Sequence, residues 1–173
     1  MRFLASFSAL FSLVGCGLSA GDPQPASSVV VTDQQFFDQC PLDVAHPSVT
    51  LVTDRATWAQ MLTAARTAPP PFDVAATAFE KRSVIVIATR TTPKPRTRLS
   101  LEEGSVTLGP KNASLRIALT VDDIPPPVGQ LTPAVVGMPC MVAWTFIFSG
   151  VDVIQVRRAG SMEILAETKP PAR

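Results

Sequence analysis

The sequence lacks tyrosine, contains a single histidine, His46, and carries almost no net charge. Its 15 lysines and arginines are balanced by 14 acidic residues, so the chain generates no general positive field and we expect no nucleic acid partner. His46 is the one side chain that could act as the base of a Ser-His or Cys-His mechanism, and it lies in a predicted surface loop beside Pro47. This composition favours a protein that is not an enzyme and that needs no cofactor.

Proline is abundant by contrast, with 17 residues. It cannot donate a hydrogen bond to a sheet ladder and it breaks helix interiors, so its clusters mark connections between elements. The clusters are Pro69-Pro70-Pro71, Pro93 with Pro95, Pro125-Pro126-Pro127 and Pro170-Pro171. The short pieces between them suit a β-rich fold.

The amino terminus has the layout of an export signal. Arg2 precedes an apolar run over residues 3–14, which is too short to span a bilayer as a stable helix. Residues 13–16, Leu-Val-Gly-Cys, resemble the lipobox of bacterial lipoproteins. The resemblance implies cleavage before Cys16, a diacylglyceryl group on its thiol, and stable anchoring by two or three acyl chains. We therefore expect the lipid on Cys16 to hold the protein on a membrane.

The residues around Cys16 also bear on its location. Leu18, rather than Asp, stands two residues beyond the cysteine, and in Gram-negative lipoproteins this implies the outer membrane. The alternative is a soluble secreted protein cleaved after Ala20. The predicted organisation is a signal peptide over 1–15, a flexible tether over 16–28, one β-rich domain over 29–168 and a tail over 169–173.

Two cysteines remain once Cys16 carries lipid. Cys40 and Cys140 would both reside in an oxidising compartment, which favours a disulfide over two separately buried thiols. Such a bridge contributes up to ~4.7 kcal/mol in the chain-entropy model. A zinc site of Cys40, His46 and Cys140 is disfavoured because it lacks a fourth ligand and a closely spaced cysteine pair. We predict no metal site.

One amphipathic helix is predicted over residues 55–66. Thr53 or Asp54 can cap its first turn. Apolar residues recur at i, i+3, i+4 and i+7 and form a stripe that faces a core: Trp58, Met61, Leu62 and Ala65.

About seven to nine strands accompany this helix. Residues 83–88 form a continuous β-branched run, typical of a strand that is buried on both faces. Alternating segments over 106–108 and 115–121 flank a turn and predict a hairpin, as do residues 151–156 and 162–166. The pattern predicts a mainly β (α+β) fold, an antiparallel β-sandwich or partly open barrel with one packed amphipathic helix.

The order of these features over residues 49–158 resembles the C-terminal domain of the PrcB family, accessory subunits of a bacterial surface protease complex. The matching elements are Val52-Thr53 with Trp58 and Leu62, Pro71-Phe72-Asp73, Ile124-Pro125-Pro126-Pro127 with Gly129, and Thr132-Pro133 leading to Pro139-Cys140. Residues 91–96 depart from that family, which has a Gly-Gly-aromatic segment there. The resemblance implies non-enzymatic support or anchoring of another envelope protein and transfers no catalytic residue.

A basic segment is the most polarised part of the sequence. Six cations occur from residue 81 to residue 98 with no acid among them, and they predict a platform for an anionic partner or ordinary solvated charge. They are Lys81, Arg82, Arg90, Lys94, Arg96 and Arg98.

Two other functions stay open on the sequence. An apolar cavity near Trp58 and Trp144 would suit a ligand-binding lipoprotein. Alternatively, one acid from Glu102-Glu103 and one from Asp122-Asp123 could meet as the couple of an envelope hydrolase, although Asp122-Asp123 more readily shapes a turn.

Overall fold

Two β-sheets and one helix make up the part of the chain that the computed structural model describes, which is residues 26–66, 72, 78–91, 97–109, 113–124, 128, 136–146 and 151–168. The predicted signal peptide, Cys16, most of the tether and the tail lie outside these residues. In chain order the elements are β1 (Ser27–Ser28), β2 (Val31–Phe37), β3 (Ser48–Val52), α1 (Arg55–Thr63), β4 (Arg82–Ala88), β5 (Thr97–Leu108), β6 (Ser114–Asp123), β7 (Cys140–Phe146), β8 (Val153–Arg158) and β9 (Ile164–Thr168).

The strands form a five-stranded sheet in the order β1-β5-β6-β8-β9 and a four-stranded sheet in the order β2-β7-β4-β3. Neighbouring strands are antiparallel, except that β6 and β8 run parallel. The sheets have separate edges and do not close into one barrel. The fold is therefore mainly β, a sandwich with one packed helix, as the sequence predicts.

Strand β4 is covered on both faces. Residues 83–88 are all buried, which confirms the prediction from their β-branched run. Ile85 and Ile87 belong to the core between the two sheets, and Val84 and Val86 belong to the core between the four-stranded sheet and α1. The molecule thus has three layers, with β4 and its neighbour β7 in the middle one.

Helix α1 begins where the sequence places it. The Asp54 carboxylate accepts hydrogen bonds from the backbone N–H and the hydroxyl of Thr57, each at 2.8 Å. This cap satisfies a first-turn donor that has no partner inside the helix. Trp58 and Leu62, from the predicted apolar stripe, are buried against the sheet.

The helix ends at Thr63, earlier than the predicted end at Arg66. The Arg66 backbone N–H donates to the carbonyl of Pro41 at 2.7 Å, and its guanidinium pairs with the Asp43 carboxylate at 3.0 Å. Contacts with the segment that follows β2 therefore override the local helix propensity.

Two further segments differ from the sequence analysis. Asp122 and Asp123, predicted in a turn, are the last residues of β6 and lie opposite Arg98 and Thr97. The Thr97 hydroxyl donates to Asp123 at 3.4 Å, so cross-strand partners keep both aspartates in the strand. Residues 27–28, assigned to the tether, form β1 because their backbone pairs with β5.

The predicted disulfide joins Cys40, just after β2, to Cys140, the first residue of β7, with the two Cα atoms 5.2 Å apart. Both residues are buried in the core beneath α1. The sequence separation is 100 residues, so the bridge ties the edge strand β2 to a distant part of the chain.

Replacing both cysteines, as C40S/C140S, removes this cross-link from the unfolded chain. We expect the free energy of unfolding to fall by about 2–5 kcal/mol, measured by urea denaturation. A reductant should destabilise the wild type similarly and leave the double variant unchanged. Equal stability of the two proteins without reductant would contradict a stabilising role for the bridge.

The Asp54 cap predicts a dependence on pH. Hydrogen bonds from the backbone and then the hydroxyl of Thr57 lower the pKa of Asp54 below its ordinary value of 3.8. Because the folded pKa is the lower one, the cap stabilises the fold above that ordinary value and stops doing so as pH falls through the lowered pKa.

In thermal unfolding followed by circular dichroism, wild type should therefore exceed Asp54→Asn in Tm at neutral pH. The difference should shrink well below pH ~3.8, where the wild-type carboxyl takes up a proton. Asp152→Asn, at an exposed aspartate outside the helix, is the control. A Tm difference that is independent of pH would contradict the assignment.

Candidate functional site

A bulge in β5 builds one wall of a groove between the two sheets. Leu101 pairs with Leu119, but Val106 pairs with Ile117, so residues 102–105 stand opposite a single residue of β6. Gly104 lies inside this bulge with φ +75°, a left-handed backbone conformation that residues other than glycine rarely adopt. The bulge pushes residues 102–104 out of the regular ladder toward the start of β2.

The other wall is the point where the chain changes sheets. Ser27 and Ser28 pair with β5, and the Val29 N–H donates to the Val106 carbonyl at 2.8 Å. Beyond Val106 the bulge interrupts β5, so this pairing stops. The chain then crosses to the four-stranded sheet and continues there as β2.

Gln34 bridges the two sheets below the bulge. Its side-chain Nε2 donates to the Leu101 carbonyl at 3.1 Å, and the Leu101 backbone N–H donates to its Oε1 at 2.9 Å. A side-chain amide carries both N–H donors and a carbonyl acceptor, so it can form the two hydrogen bonds that the backbone of a neighbouring strand would form. Gln34 thus satisfies Leu101 on an edge of β5 that β1 does not reach.

The groove between these walls has a volume of about 470 Å³ and is lined by residues 28–34 and 101–104. Its charged lining residues are all acidic and exposed: Asp33, Glu102 and Glu103. Asp33 accepts from the Gln34 backbone N–H at 2.8 Å, and Glu102 accepts from the Thr120 hydroxyl at 3.4 Å. We call this feature the acidic groove.

The carboxylates of the acidic groove do not converge on one point. Within the described ranges, no three histidine, cysteine, aspartate or glutamate side chains converge so that they could hold a metal ion. Both sulfurs of the disfavoured zinc site, those of Cys40 and Cys140, are committed to the disulfide. The acidic groove therefore presents an extended negative surface.

The predicted basic platform is dispersed. Lys81 and Arg82 stand at the start of β4 and Arg90 follows its other end, so a strand of 7 residues separates them, about 23 Å along its axis. Arg98 belongs to the other sheet and lies opposite Asp122. Lys94 and Arg96 lie outside the described residues. The four described cations do not form the single surface that their spacing suggested, because the chain between Arg82 and Arg90 is an extended central strand.

His46 is half-buried, whereas the sequence predicted a surface residue. Its ring Nδ1 lies 2.8 Å from the Thr89 carbonyl, and since a carbonyl can only accept, Nδ1 donates. The other ring nitrogen, Nε2, is buried and has no hydrogen-bond partner within the described part of the chain. His46 fastens the loop before β3 to the end of β4.

Aromatic side chains occupy the region where the sequence suggested a ligand cavity. Trp58 is fully buried and its ring lies 5.5 Å from that of Phe72, which in turn lies 5.9 Å from Trp144 and 5.3 Å from Phe37. These are packing distances for aromatic rings. Phe72 thus packs near both Trp58 and Trp144, in the region where the sequence suggested a cavity.

The two acid pairs proposed for a hydrolase lie apart on the larger sheet. Asp122 is opposite Arg98, whereas Glu102 is four residues further along β5, about 13 Å along the strand. A nucleophile-elbow pattern, Gly-x-Ser-x-Gly, does occur at residues 17–21, but it lies outside the described residues, where the sequence predicts the tether. That pattern carries chemistry only on a strand-to-helix turn.

Neither wall of the acidic groove was identified from the sequence. Glu102 and Glu103 pattern with Asp122 and Asp123 as a hydrolase couple, and Asp33 belongs to no motif. The available signal was Gly104 behind two glutamates inside an alternating strand, a pattern that indicates a bulge.

In the described part of the chain, no helix combines the length and the apolar character needed to cross a membrane. Comparisons with models of known protein families, with curated proteins and with solved structures find no match for this chain.

Gln34→Ala removes both hydrogen bonds to Leu101. We expect the free energy of unfolding to fall by about 1–2 kcal/mol, since each net hydrogen bond contributes about 0.5–1.5 kcal/mol. The neighbouring exposed Gln35 is the matched control, and Gln35→Ala should change stability by less than about 0.5 kcal/mol in the same urea titration. Equal losses in the two variants would show that the bridge adds nothing.

Proposed function

We propose that this chain is a lipid-anchored protein of the bacterial cell envelope, PrcB-like in type, that binds or supports another exported protein without catalysing a reaction. The observation that carries the proposal is the buried disulfide between Cys40 and Cys140. Disulfides form and persist in exported proteins and are rare in the reducing cytosol. The bridge and the export-signal pattern before Cys16 agree on the same compartment.

The place where the chain enters the fold supports anchoring close to a membrane. Ser27–Ser28 is already part of a sheet, so only the residues between Cys16 and Ser27 separate the lipid from the domain. Fully extended, these ten residues reach at most about 35 Å. The acidic groove begins at Ser28 and thus lies beside the point where the tether joins the domain. In this proposal the membrane is the outer one, as Leu18 implies.

Binding of a protein partner is supported by the nature of the described surface. In the described residues, strand β2 pairs with β7 on one side and with no strand on the other. The acidic groove runs beside this unpaired side. Unpaired strand edges are sites where another chain adds. The near-neutral charge of the chain argues against nucleic acid in this role.

Metabolic labelling with an alkyne-tagged fatty acid tests the anchor. Wild type should be labelled and stay with the membrane fraction after a high-salt wash, because two or three acyl chains hold a protein stably. Cys16→Ser should lose the label and should not be cleaved at residue 15. The double variant C40S/C140S, which keeps Cys16, is the control for general loss of thiols and should be labelled.

Photo-crosslinking in intact cells tests the partner. A crosslinker at Gln35, beside the acidic groove, should give one dominant adduct with an exported protein, whereas one at exposed Glu80 should not.

In the labelling experiment, a wild type that is unlabelled and washes free of membranes would refute the anchor. Labelled protein with no adduct from any groove position would refute the binding role.

A further inference from the structure

Two strand edges lie open on the side of the sandwich where the chain changes sheets. β2 is the outermost strand of its sheet, and β1 covers β5 only at Leu108 and Thr107. On the β5 edge, Gln34 occupies the backbone groups of Leu101. Along β2 the described residues offer no second strand. Within the described ranges, the outer edge of β2 therefore has no strand paired to it, and its Gln34 N–H is held by the Asp33 side chain.

The acidic groove runs along the first half of this edge. Its lining includes residues 31–34 of β2, and the bulge residues 102–104 face them across the opening. An extended segment of about four residues matches that length at 3.3 Å per residue. The bulge forms the wall of the groove opposite β2. A strand that pairs with β2 would therefore lie against one wall and direct side chains toward the other.

Charge decides which segment fits. Asp33, Glu102 and Glu103 line the groove and no lysine or arginine does. Three carboxylates without a cation attract a basic segment and repel an acidic one. Because the three carboxylates do not converge on one point, a single cation does not match them, whereas an extended segment can present several positive charges.

We propose that the acidic groove binds an extended basic segment of an exported partner protein, which adds as a strand to the outer edge of β2. This inference rests on the proposed function, because it names the chemistry of the partner. The tether of this chain is a poor occupant, since residues 17–25 contain Asp22 and no lysine or arginine.

A fluorescent ten-residue peptide of alternating lysine and threonine is the probe. Binding to detergent-solubilised mature protein is measured by anisotropy at low salt. We expect saturable binding, which weakens as salt is raised, and no binding of the same peptide with glutamate in place of lysine. A peptide that keeps every lysine but carries N-methyl groups on alternate backbone nitrogens should bind at least about tenfold more weakly, because it cannot pair as a strand.

The double variant E102Q/E103Q should bind the lysine peptide about five- to tenfold more weakly. The matched control E80Q/E167Q removes two exposed acids outside the groove lining and should bind like wild type. Urea unfolding of both variants establishes that they are folded equally well.

Three results would overturn the inference. Equal binding of the N-methylated peptide would mean charge attraction without strand addition. Unchanged binding by E102Q/E103Q would place the peptide elsewhere. Wild type that sediments as a dimer, with E102Q/E103Q monomeric, would identify a second copy as the occupant. Fatty-acid labelling of Cys16 is measured separately, so a labelled protein that fails to bind the peptide refutes only this inference.

Discussion

Burial of β4 and β7 on both faces is the constraint on which the remaining structure depends. A sheet that is apolar on both sides needs two covering layers, and one helix and one further sheet provide them. The disulfide between Cys40 and Cys140 ties the edge strand β2 to this middle layer. Because β2 is fixed there, the chain that precedes it has to cross from the other sheet, and that crossing places the acidic groove.

The acidic groove forms where the incoming chain stops pairing with β5 and begins to pair in the other sheet. β5 would continue to pair with the incoming chain beyond Val29, but its bulge at residues 102–105 ends the ladder. The incoming chain then joins the other sheet, and Gln34 replaces the missing strand at Leu101. A local irregularity, and not a loop insertion, thus opens a concave surface between two regular sheets.

The sequence was most informative where hydrophobic burial decides the structure. Residues 83–88 predicted a strand buried on both faces, and Trp58 and Leu62 marked the buried side of the helix, because apolar patterning reports burial directly. The pairing of Cys40 with Cys140 followed from the compartment and from there being only two candidates. For the basic segment the sequence left a platform and ordinary solvated charge as alternatives, because charge spacing along a chain does not report whether the intervening residues extend or turn. The acidic groove depends on the register of β5 against β6 and on the meeting of β2 with β5, which are long-range properties that no local pattern encodes.

The edges of the two sheets differ in the groups that contact them, and this difference bears on function. On the far side of the sandwich, the Thr168 hydroxyl of β9 donates to the Val49 carbonyl of β3, so β9 contacts that edge. On the near side, Gln34 closes β5 at Leu101, while the charged residues that line the groove beside β2 are three carboxylates within the described part of the chain. Like-charged copies of this protein repel one another at such an edge, which limits self-association, whereas a basic strand is attracted to it. The same three carboxylates thus protect an open edge from the wrong partner and define the right one.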